Sequence, residues 1–118
     1  MTDSDASCLF CQIVAGDIPA TVVHQTDRVV AFRDVNPQAP VHVLVVPREH
    51  HRDAGSLGAA DPELAGAVLE AAAVVADLEG VSDSGYRVVL NTGSGAGQTV
   101  FHVHAHVLGG RPLLWPPG

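Results

Sequence analysis

Apolar positions along the chain follow two periods, one typical of strands and one typical of helices. Five runs have the length and composition of strands, at residues 21–25, 29–33, 41–46, 86–90 and 100–108. The first two are rich in β-branched residues and flank a short polar segment, which predicts a hairpin. Pro37 and Pro40 cannot donate to a sheet ladder, so a turn is predicted before the third run.

The helical period occurs in two places. Asp61 is a good N-cap, and Pro62 and Glu63 suit the first turn of a long helix that Gly80 ends. Residues 8–15 carry a shorter helical pattern. Because tight turns rather than helices join most of the strands, the pattern predicts an α+β fold with a largely antiparallel sheet, one long helix and one short helix.

Composition limits the classes of function that are open to the chain. Its 118 residues, 47% of them hydrophobic, suffice for one domain, predicted at residues 8–118 behind a disordered tail at residues 1–7. The formal net charge is −7, so a nucleic-acid polymer is not an expected partner. The chain shows neither a secretory signal nor an apolar run of membrane-spanning length, so we expect a cytoplasmic protein without a membrane partner.

The last third of the chain has no acidic residue. Residues 84–118 contain Arg87, Arg111 and three histidines but no Asp or Glu. In an acidic protein such a segment favours anion binding. A buried apolar C-terminal part would produce the same composition, so this pattern leaves both interpretations open.

Three histidines alternate with apolar residues in VFHVHAHVL, residues 100–108. Side chains of a strand alternate between its faces, so His102, His104 and His106 are predicted to share one face. Two kinds of chemistry fit this pattern: a His-x-His metal site with a further ligand, or a neutral imidazole that acts as a nucleophile toward phosphorus. His42, on the predicted third strand, could join either arrangement.

The segment GSGAGQT, residues 93–99, is rich in glycine. It is not a P-loop, because Gln98 stands where that motif requires Lys and a strand is predicted to follow instead of a helix. Its backbone can still approach an anion closely, so Gly97 and Gln98 are predicted to contact a bound phosphate, with the hydroxyl of Thr99 nearby.

These residues closely resemble the signature of the histidine triad superfamily, in which His-x-His-x-His precedes two apolar residues. QTVFHVHAHVLGGR at residues 98–111 carries the signature. GGR at residues 109–111 and WPPG at residues 115–118 are similar to the Hint branch, the nucleoside phosphoramidases. The resemblance also includes FRDVNPQAPVH at residues 32–42 and extends over residues 8–118.

The resemblance implies hydrolysis of purine nucleoside 5′-phosphoramidates, including aminoacyl adenylates, through a covalent nucleotidyl-histidine intermediate. His104 matches the nucleophile, and His106 and His42 match the flanking histidines that contact the phosphate and share protons. Asn91 and Thr99 match polar residues near the phosphate and the departing amine, with Thr99 in a position where Ser is more usual. No cofactor is expected to be required for catalysis.

The resemblance also implies an apolar pocket for the base and a carboxylate for the ribose. Asp34 matches the carboxylate that binds the ribose hydroxyls, although an Asp in this position could instead cap the turn at Asn36. The walls of the base pocket match Leu9, Phe10, Ile13, Ile18, Phe32 and Val35.

Cys8 and Cys11 form a second candidate site. On a helix, residues three apart share a face, so both thiols could point at one ion, with His50 and His102 completing a tetrahedral zinc site. Some bacterial members of the superfamily bind zinc in this manner, and His102 would then be a structural ligand. The alternative is two reduced thiols that pack as small hydrophobic groups.

Trp115 follows two leucines in a proline-rich end of the chain. The superfamily resemblance implies a five-stranded sheet that continues across a homodimer, with this segment crossing the interface toward the partner's site. A tail that packs on its own sheet is the alternative. His24 and His51 are expected at the surface.

Two other functions remain open from the sequence. One is a dinucleotide polyphosphate hydrolase of the Fhit type, whose members usually have Pro where Gly109 stands. The other is a zinc-stabilised purine-nucleotide-binding protein whose catalysis is incidental.

Overall fold

A five-stranded antiparallel sheet forms the centre of the molecule in a computed structural model that describes residues 7–118. Residues 1–6, most of the predicted disordered tail, lie outside the described residues. The strands are β1 (Val22–Gln25), β2 (Val29–Arg33), β3 (Val41–Pro47), β4 (Tyr86–Val89) and β5 (Ala105–Gly109). Their order is β1-β2-β3-β5-β4, and every neighbouring pair is antiparallel, so the predicted fold class is confirmed.

Three α-helices accompany the sheet within residues 7–118: α1 (Leu9–Val14), α2 (Ala54–Ala60) and α3 (Pro62–Leu78). The short helix α1 and the long helix α3 were predicted, whereas α2 was not, because its sequence AGSLGAA contains glycines that disfavour a helix. It forms because the carboxylate of Asp53 caps it at Ser56 N, 2.9 Å away, and because Leu57 is buried in the core. No helix of this described part is long and apolar enough to cross a membrane.

The two faces of the sheet are covered unequally. Helix α3 packs on one face, over a large core cluster that includes Val43, Val45 and Val107. On the other face a smaller cluster joins Phe10 of α1 to Phe32 of β2 and its neighbours. Because the period of a strand is two, adjacent residues of β2 and β3 enter different clusters. A single turn or two of helix covers little of the second face, which leaves room there for a site.

The last strand is shorter than the sequence pattern predicts. A strand was predicted over residues 100–108, but β5 begins at Ala105 and the chain before it is irregular. His102 therefore does not share a strand face with His104 and His106, and that prediction was wrong. The apolar residues between the histidines do pack in the core, since Val103 and Ala105 are both buried in the large core cluster.

The reason lies in contacts outside the sheet that residues 102 and 103 make. The backbone N–H of Val103 donates to the carbonyl of His51 at 2.7 Å, and the ring of His102 is hydrogen-bonded to the carbonyl of Pro47 at 2.8 Å. His51, which was expected at the surface, is instead only 5% exposed. These bonds hold the chain away from the ladder until it reaches β5.

Candidate active site and metal centre

A cleft of about 400 Å³ opens on the sheet face beside α1. All six residues predicted to wall a base pocket line it: Leu9, Phe10, Ile13, Ile18, Phe32 and Val35. Asp34, Thr99, His104 and His106 line the same cleft. The structure therefore brings an apolar surface, a carboxylate, a hydroxyl and two imidazoles together around one space.

His104 is fixed at this cleft in a defined tautomer. Its Nδ1 lies 2.8 Å from the backbone oxygen of His102, which can only accept, so Nδ1 carries the proton and donates. The other nitrogen, Nε2, then has a free lone pair. The ring of Phe10 contacts the His104 ring edge to face at a centroid distance of 4.9 Å, which holds the plane of the imidazole.

A hydrogen-bonded chain fixes the opposite tautomer in the neighbouring ring. The backbone N–H of Gln38 donates to His42 Nδ1 at 3.0 Å, so the proton of neutral His42 lies on Nε2. That N–H faces His106 Nδ1 at 2.9 Å, which leaves the proton of His106 on its own Nε2. The ring centroids of His104 and His106 are 4.9 Å apart, so a ring with a free Nε2 lone pair neighbours a ring with an Nε2–H group. Sequence reasoning missed Gln38 because a backbone donor has no side-chain signature.

Burial keeps these imidazoles uncharged. It lowers the pKa of His42 and of His104 below 6.5, against the attraction of Asp34 for the charged form. Burial, together with the nearby imidazoles of His104 and His42, lowers the pKa of His106 to about 4. At neutral pH the site therefore contains neutral imidazoles, the form that a nitrogen nucleophile requires.

Asp34 both caps the turn before β3 and lines the cleft. Its Oδ1 accepts from the backbone N–H of Asn36 at 2.8 Å, which is the turn-capping role. The residue also lines the cleft, and its Oδ2 lies 3.4 Å from His42 Nε2. The turn thus holds the carboxylate at the cleft.

Asn91 lies on the far side of His106 from most of the cleft. It lines a second depression of about 300 Å³, together with His42, Arg87 and Arg111. His106 lines both spaces, so they adjoin at its ring. The arginines donate to backbone carbonyls and thereby hold the C-terminal segment: Arg87 to Leu113 and Leu114, and Arg111 to Gln38 and Pro112.

The structure places Gln98 in a role different from the predicted contact with phosphate. The residue is 2% exposed, and its Oε1 accepts from Gly93 N at 2.9 Å. Its Nε2 donates to the carbonyls of Arg52 and Val100 at 2.9 and 3.2 Å. The amide is thus fully occupied in closing the glycine loop. Gly97, in the left-handed region at φ 95°, belongs to the same closure and lines neither space.

A second cluster joins the predicted metal ligands Cys8, Cys11, His50 and His102, whose donor atoms all lie within 4.8 Å of one another. Cys11 Sγ is 3.3 Å from His50 Nδ1 and 3.4 Å from His102 Nδ1, and Cys8 Sγ is 3.5 Å from His102 Nδ1. Two ligands of a tetrahedral zinc ion, one sulfur and one nitrogen, would be roughly 3.6 Å apart. The spacing and the chemistry of the donors therefore fit zinc.

The protonation of His102 also suits a metal ligand. Its Nε2 donates to the Pro47 carbonyl, which leaves the lone pair of Nδ1 directed at both thiols. Burial lowers the pKa of His102 to about 4, so the ring is neutral. A backbone acceptor for the nitrogen that does not face the metal is a usual feature of histidine ligands.

Fold and site together define a class of small α+β protein in which an antiparallel sheet presents clustered neutral imidazoles beside an apolar cleft. The profile of the HIT domain family matches residues 15–113. The chain belongs to the HIT domain family.

Named relatives cover most of the chain. The 14 kDa zinc-binding protein of Zea mays is 46% identical over 116 residues, 97% of this chain and 90% of that protein. The purine nucleoside phosphoramidase of Escherichia coli (strain K12) is 41% identical over 105 residues, 89% of this chain and 88% of that protein. A crystal structure of a HIT family hydrolase from Legionella pneumophila Philadelphia 1 is 48% identical, with a TM-score of 0.91 over 95% of this chain and 100% of that one.

Proposed function

We propose that the protein hydrolyses purine nucleoside 5′-phosphoramidates, and in the same way aminoacyl adenylates, whose leaving group is a carboxylate, with His104 as the nucleophile. The observation that carries this proposal is the free lone pair on His104 Nε2, beside the Nε2–H group of His106, at an apolar cleft that also contains Asp34. The phosphoramidase name of a relative that is 41% identical supports the same reaction class.

The cleft suits a nucleoside in size and in the placement of its polar groups. Its volume of about 400 Å³ falls in the range of small-molecule sites, and its walls are mainly apolar, as a purine ring requires. The carboxylate of Asp34 accepts hydrogen bonds from the ribose hydroxyls. The phosphate then lies toward His104, His106 and Thr99 at the polar end.

The reaction proceeds in two displacements at phosphorus. In the first, His104 Nε2 forms a bond to phosphorus while the P–N bond breaks, and the amine leaves with a proton taken from solvent. The carbonyl of His102 stabilises the positive charge that develops on the His104 ring, because it already accepts the Nδ1 proton. The Nε2–H group of His106 donates to a phosphoryl oxygen. In the second, water adds to phosphorus, the Nε2–P bond breaks, and the nucleoside monophosphate and a proton are released.

The decisive experiment compares His104→Ala with the wild type on an adenosine phosphoramidate. Loss of the nucleophile should lower kcat/KM by at least about 10³-fold, whereas AMP binding persists because the apolar walls remain. His24→Ala, on β1 and outside the cleft, is the matched control and should keep full activity. Undiminished turnover by His104→Ala would contradict the nucleophile assignment.

The same assay separates the two other functions. A dinucleotide polyphosphate hydrolase would turn over diadenosine polyphosphates faster than the phosphoramidate, and a binding protein would retain AMP without turnover. Gly109 favours the Hint type, because a Cβ atom at this position would stand only 3.0 Å from the Val81 side chain, which would have to shift to accommodate the Pro of the Fhit type.

We further propose that Cys8, Cys11, His50 and His102 hold one structural zinc ion and that the chemistry at His104 requires no cofactor. The geometry of the four donors and the zinc-binding name of a relative support this proposal. Elemental analysis of the purified, chelator-washed protein should give about one zinc per chain. A protein without zinc would favour two reduced thiols that pack as small hydrophobic groups.

We also propose a cytoplasmic homodimer. Strand β4 lies at an edge of the sheet, and Leu114 and Trp115 are 76% and 82% exposed in the single chain. Such an edge and such apolar residues are a liability unless a second copy covers them. A reducing compartment keeps the thiols of Cys8 and Cys11 available to a metal.

A further inference from the structure

His102 is a buried residue that belongs to the metal cluster through its ring and contacts the nucleophile His104 through its backbone carbonyl. The ring of His102 directs Nδ1 at the two cysteines and donates from Nε2 to Pro47. Its backbone carbonyl accepts the Nδ1 proton of His104 at 2.8 Å. The residue is 0% exposed. Because the interior is densely packed, a displaced His102 ring would carry its own carbonyl with it.

A second contact runs through the helix that supplies the thiols. Phe10 lies between Cys8 and Cys11 in sequence and is 5% exposed. Its ring contacts the His104 ring edge to face at 4.9 Å and approaches that of His102 in the same manner at 6.1 Å. The turn of chain that holds the two thiols therefore also holds the plane of the nucleophile.

Regular secondary structure fixes neither helix α1 nor residues 100–104 strongly. Helix α1 has six residues, which is too short to be stable by itself. Residues 100–104 run outside the sheet ladder, where the bond from Val103 N to His51 O is one of their anchors. A metal ion bound by ligands from α1, from His50 and from His102 would tie these segments together.

We propose that Cys8, Cys11, His50 and His102, when they hold zinc, are positioning residues for the nucleophile His104 and not only stabilisers of the fold. This inference rests on the proposed function at His104. In the metal-free protein the His102 carbonyl and the Phe10 ring move relative to His104. The Nδ1 proton then loses its fixed acceptor, the tautomer with the proton on Nε2 becomes populated, and that tautomer has no lone pair directed at phosphorus.

The expected kinetic effect is selective. Removal of the metal should lower kcat for an adenosine phosphoramidate by at least about tenfold, because small displacements of a reacting group have effects of this size. KM should change less than kcat, because Leu9, Phe10 and Ile13 of α1 form only part of the cleft wall, whereas Ile18, Phe32 and Asp34 lie outside α1 and outside residues 100–104. Zinc added back should restore kcat.

The test combines these kinetics with NMR of the protein labelled with ¹⁵N in its histidines. In the zinc-loaded protein we expect His104 to give the signals of a single tautomer, protonated at Nδ1. In the chelator-treated protein we expect a tautomer mixture. The matched control is zinc-loaded Leu57→Ala, which removes a buried side chain of α2 in the cluster on the other sheet face. It should lower thermal stability but keep the His104 tautomer.

Cadmium-loaded protein provides a second measurement if the metal-free chain unfolds. The larger ion keeps the fold but moves the ligands, so the His104 Nδ1 resonance should shift and kcat should change by at least about twofold. An unchanged tautomer and kcat after metal removal or exchange would overturn the proposal. So would a protein that binds no zinc, or a Leu57→Ala variant with the same tautomer mixture. If the tautomer follows the metal but the zinc-loaded protein hydrolyses no phosphoramidate, the function at His104 fails and the positioning role stands.

Discussion

His104 and His106 have identical side chains, yet the structure gives them opposite tautomers. The hydrogen-bond partner that faces each ring decides this: His104 Nδ1 faces a backbone carbonyl, which accepts, and His106 Nδ1 faces the N–H of the His42 ring, which donates. Burial adds the second condition, because it keeps both rings neutral at physiological pH. A lone pair beside a donor N–H therefore results from placement and not from residue type.

Protonation of His106 should make stability depend on pH in the acidic range. Its pKa is about 4 in the folded protein and 6.5 ordinarily, so between these values the unfolded chain binds more protons than the folded one. The free energy of unfolding therefore falls as the pH falls from about 6.5 toward about 4. Urea unfolding at about pH 7 and about pH 5 should show a loss in the wild type that His106→Asn reduces by about 1–2 kcal/mol. An identical pH dependence in His106→Asn and in the control His24→Asn would contradict this assignment.

At the scale of elements, the segment before β5 is where local pattern and tertiary contacts disagree. Alternation over residues 100–108 has the period of a strand, but the first five residues follow contacts to His51 and Pro47 instead. The glycine loop that precedes it is closed from inside by one amide, that of Gln98. Loop and irregular segment together bring Thr99 and His104 to the cleft.

The loop should therefore depend on Gln98. Gln98→Leu retains the size of the side chain but leaves Gly93 N and two carbonyls without their partner, which should cost about 1–3 kcal/mol of unfolding free energy. Activity should fall as well, because Thr99 loses its support. The matched control is Gln25→Leu on the exposed end of β1, where a change within about 0.5 kcal/mol is expected. Chemical denaturation of both variants decides the matter, and equal stabilities would refute the role given to Gln98.

At the scale of the whole molecule, the two faces of the antiparallel sheet are covered unequally. Helix α3 and the large core cluster cover one face, and the cleft lies on the other face, between α1 and the histidines. The free edge at β4 and the exposed C-terminal segment lie at the end of the sheet that is opposite to β1. The proposed homodimer would cover that end and leave the cleft open to substrate.

Trp115 is the only tryptophan of the chain, so its fluorescence reports on the proposed homodimer. In a single chain its side chain would be in water, whereas burial against a second copy shifts its emission to shorter wavelength and shields it from acrylamide. Sedimentation should give twice the mass of 12.2 kDa, and dilution should expose Trp115 as the dimer dissociates. A mass of one chain at micromolar concentration, with Trp115 fully quenched, would rule out this assembly.

Much of the fold could be predicted from the sequence because its strands and its long helix carry strong local signals. The β-branched, apolar runs of β2 and β3 predict two strands, and Asp61 with Pro62 marks the start of α3, where the carboxylate of Asp61 does accept from Leu64 N. Helix α2 gave no such signal, because its stability comes from the Asp53 cap and from the burial of Leu57 and not from the helix propensity of its sequence.

The sequence by itself also determined which residue types were available: three alternating histidines, a Cys-x-x-Cys pair and an apolar set around residue 10. Tertiary structure decided how they divide between two sites. His102 turns toward the thiols and His104 toward the cleft, because a carbonyl at Pro47 and a carbonyl at His102 fix one nitrogen of each ring. Hydrogen-bond partners that are distant in sequence, and burial that only the folded chain provides, set the tautomer and charge of each imidazole, and no local pattern encodes them.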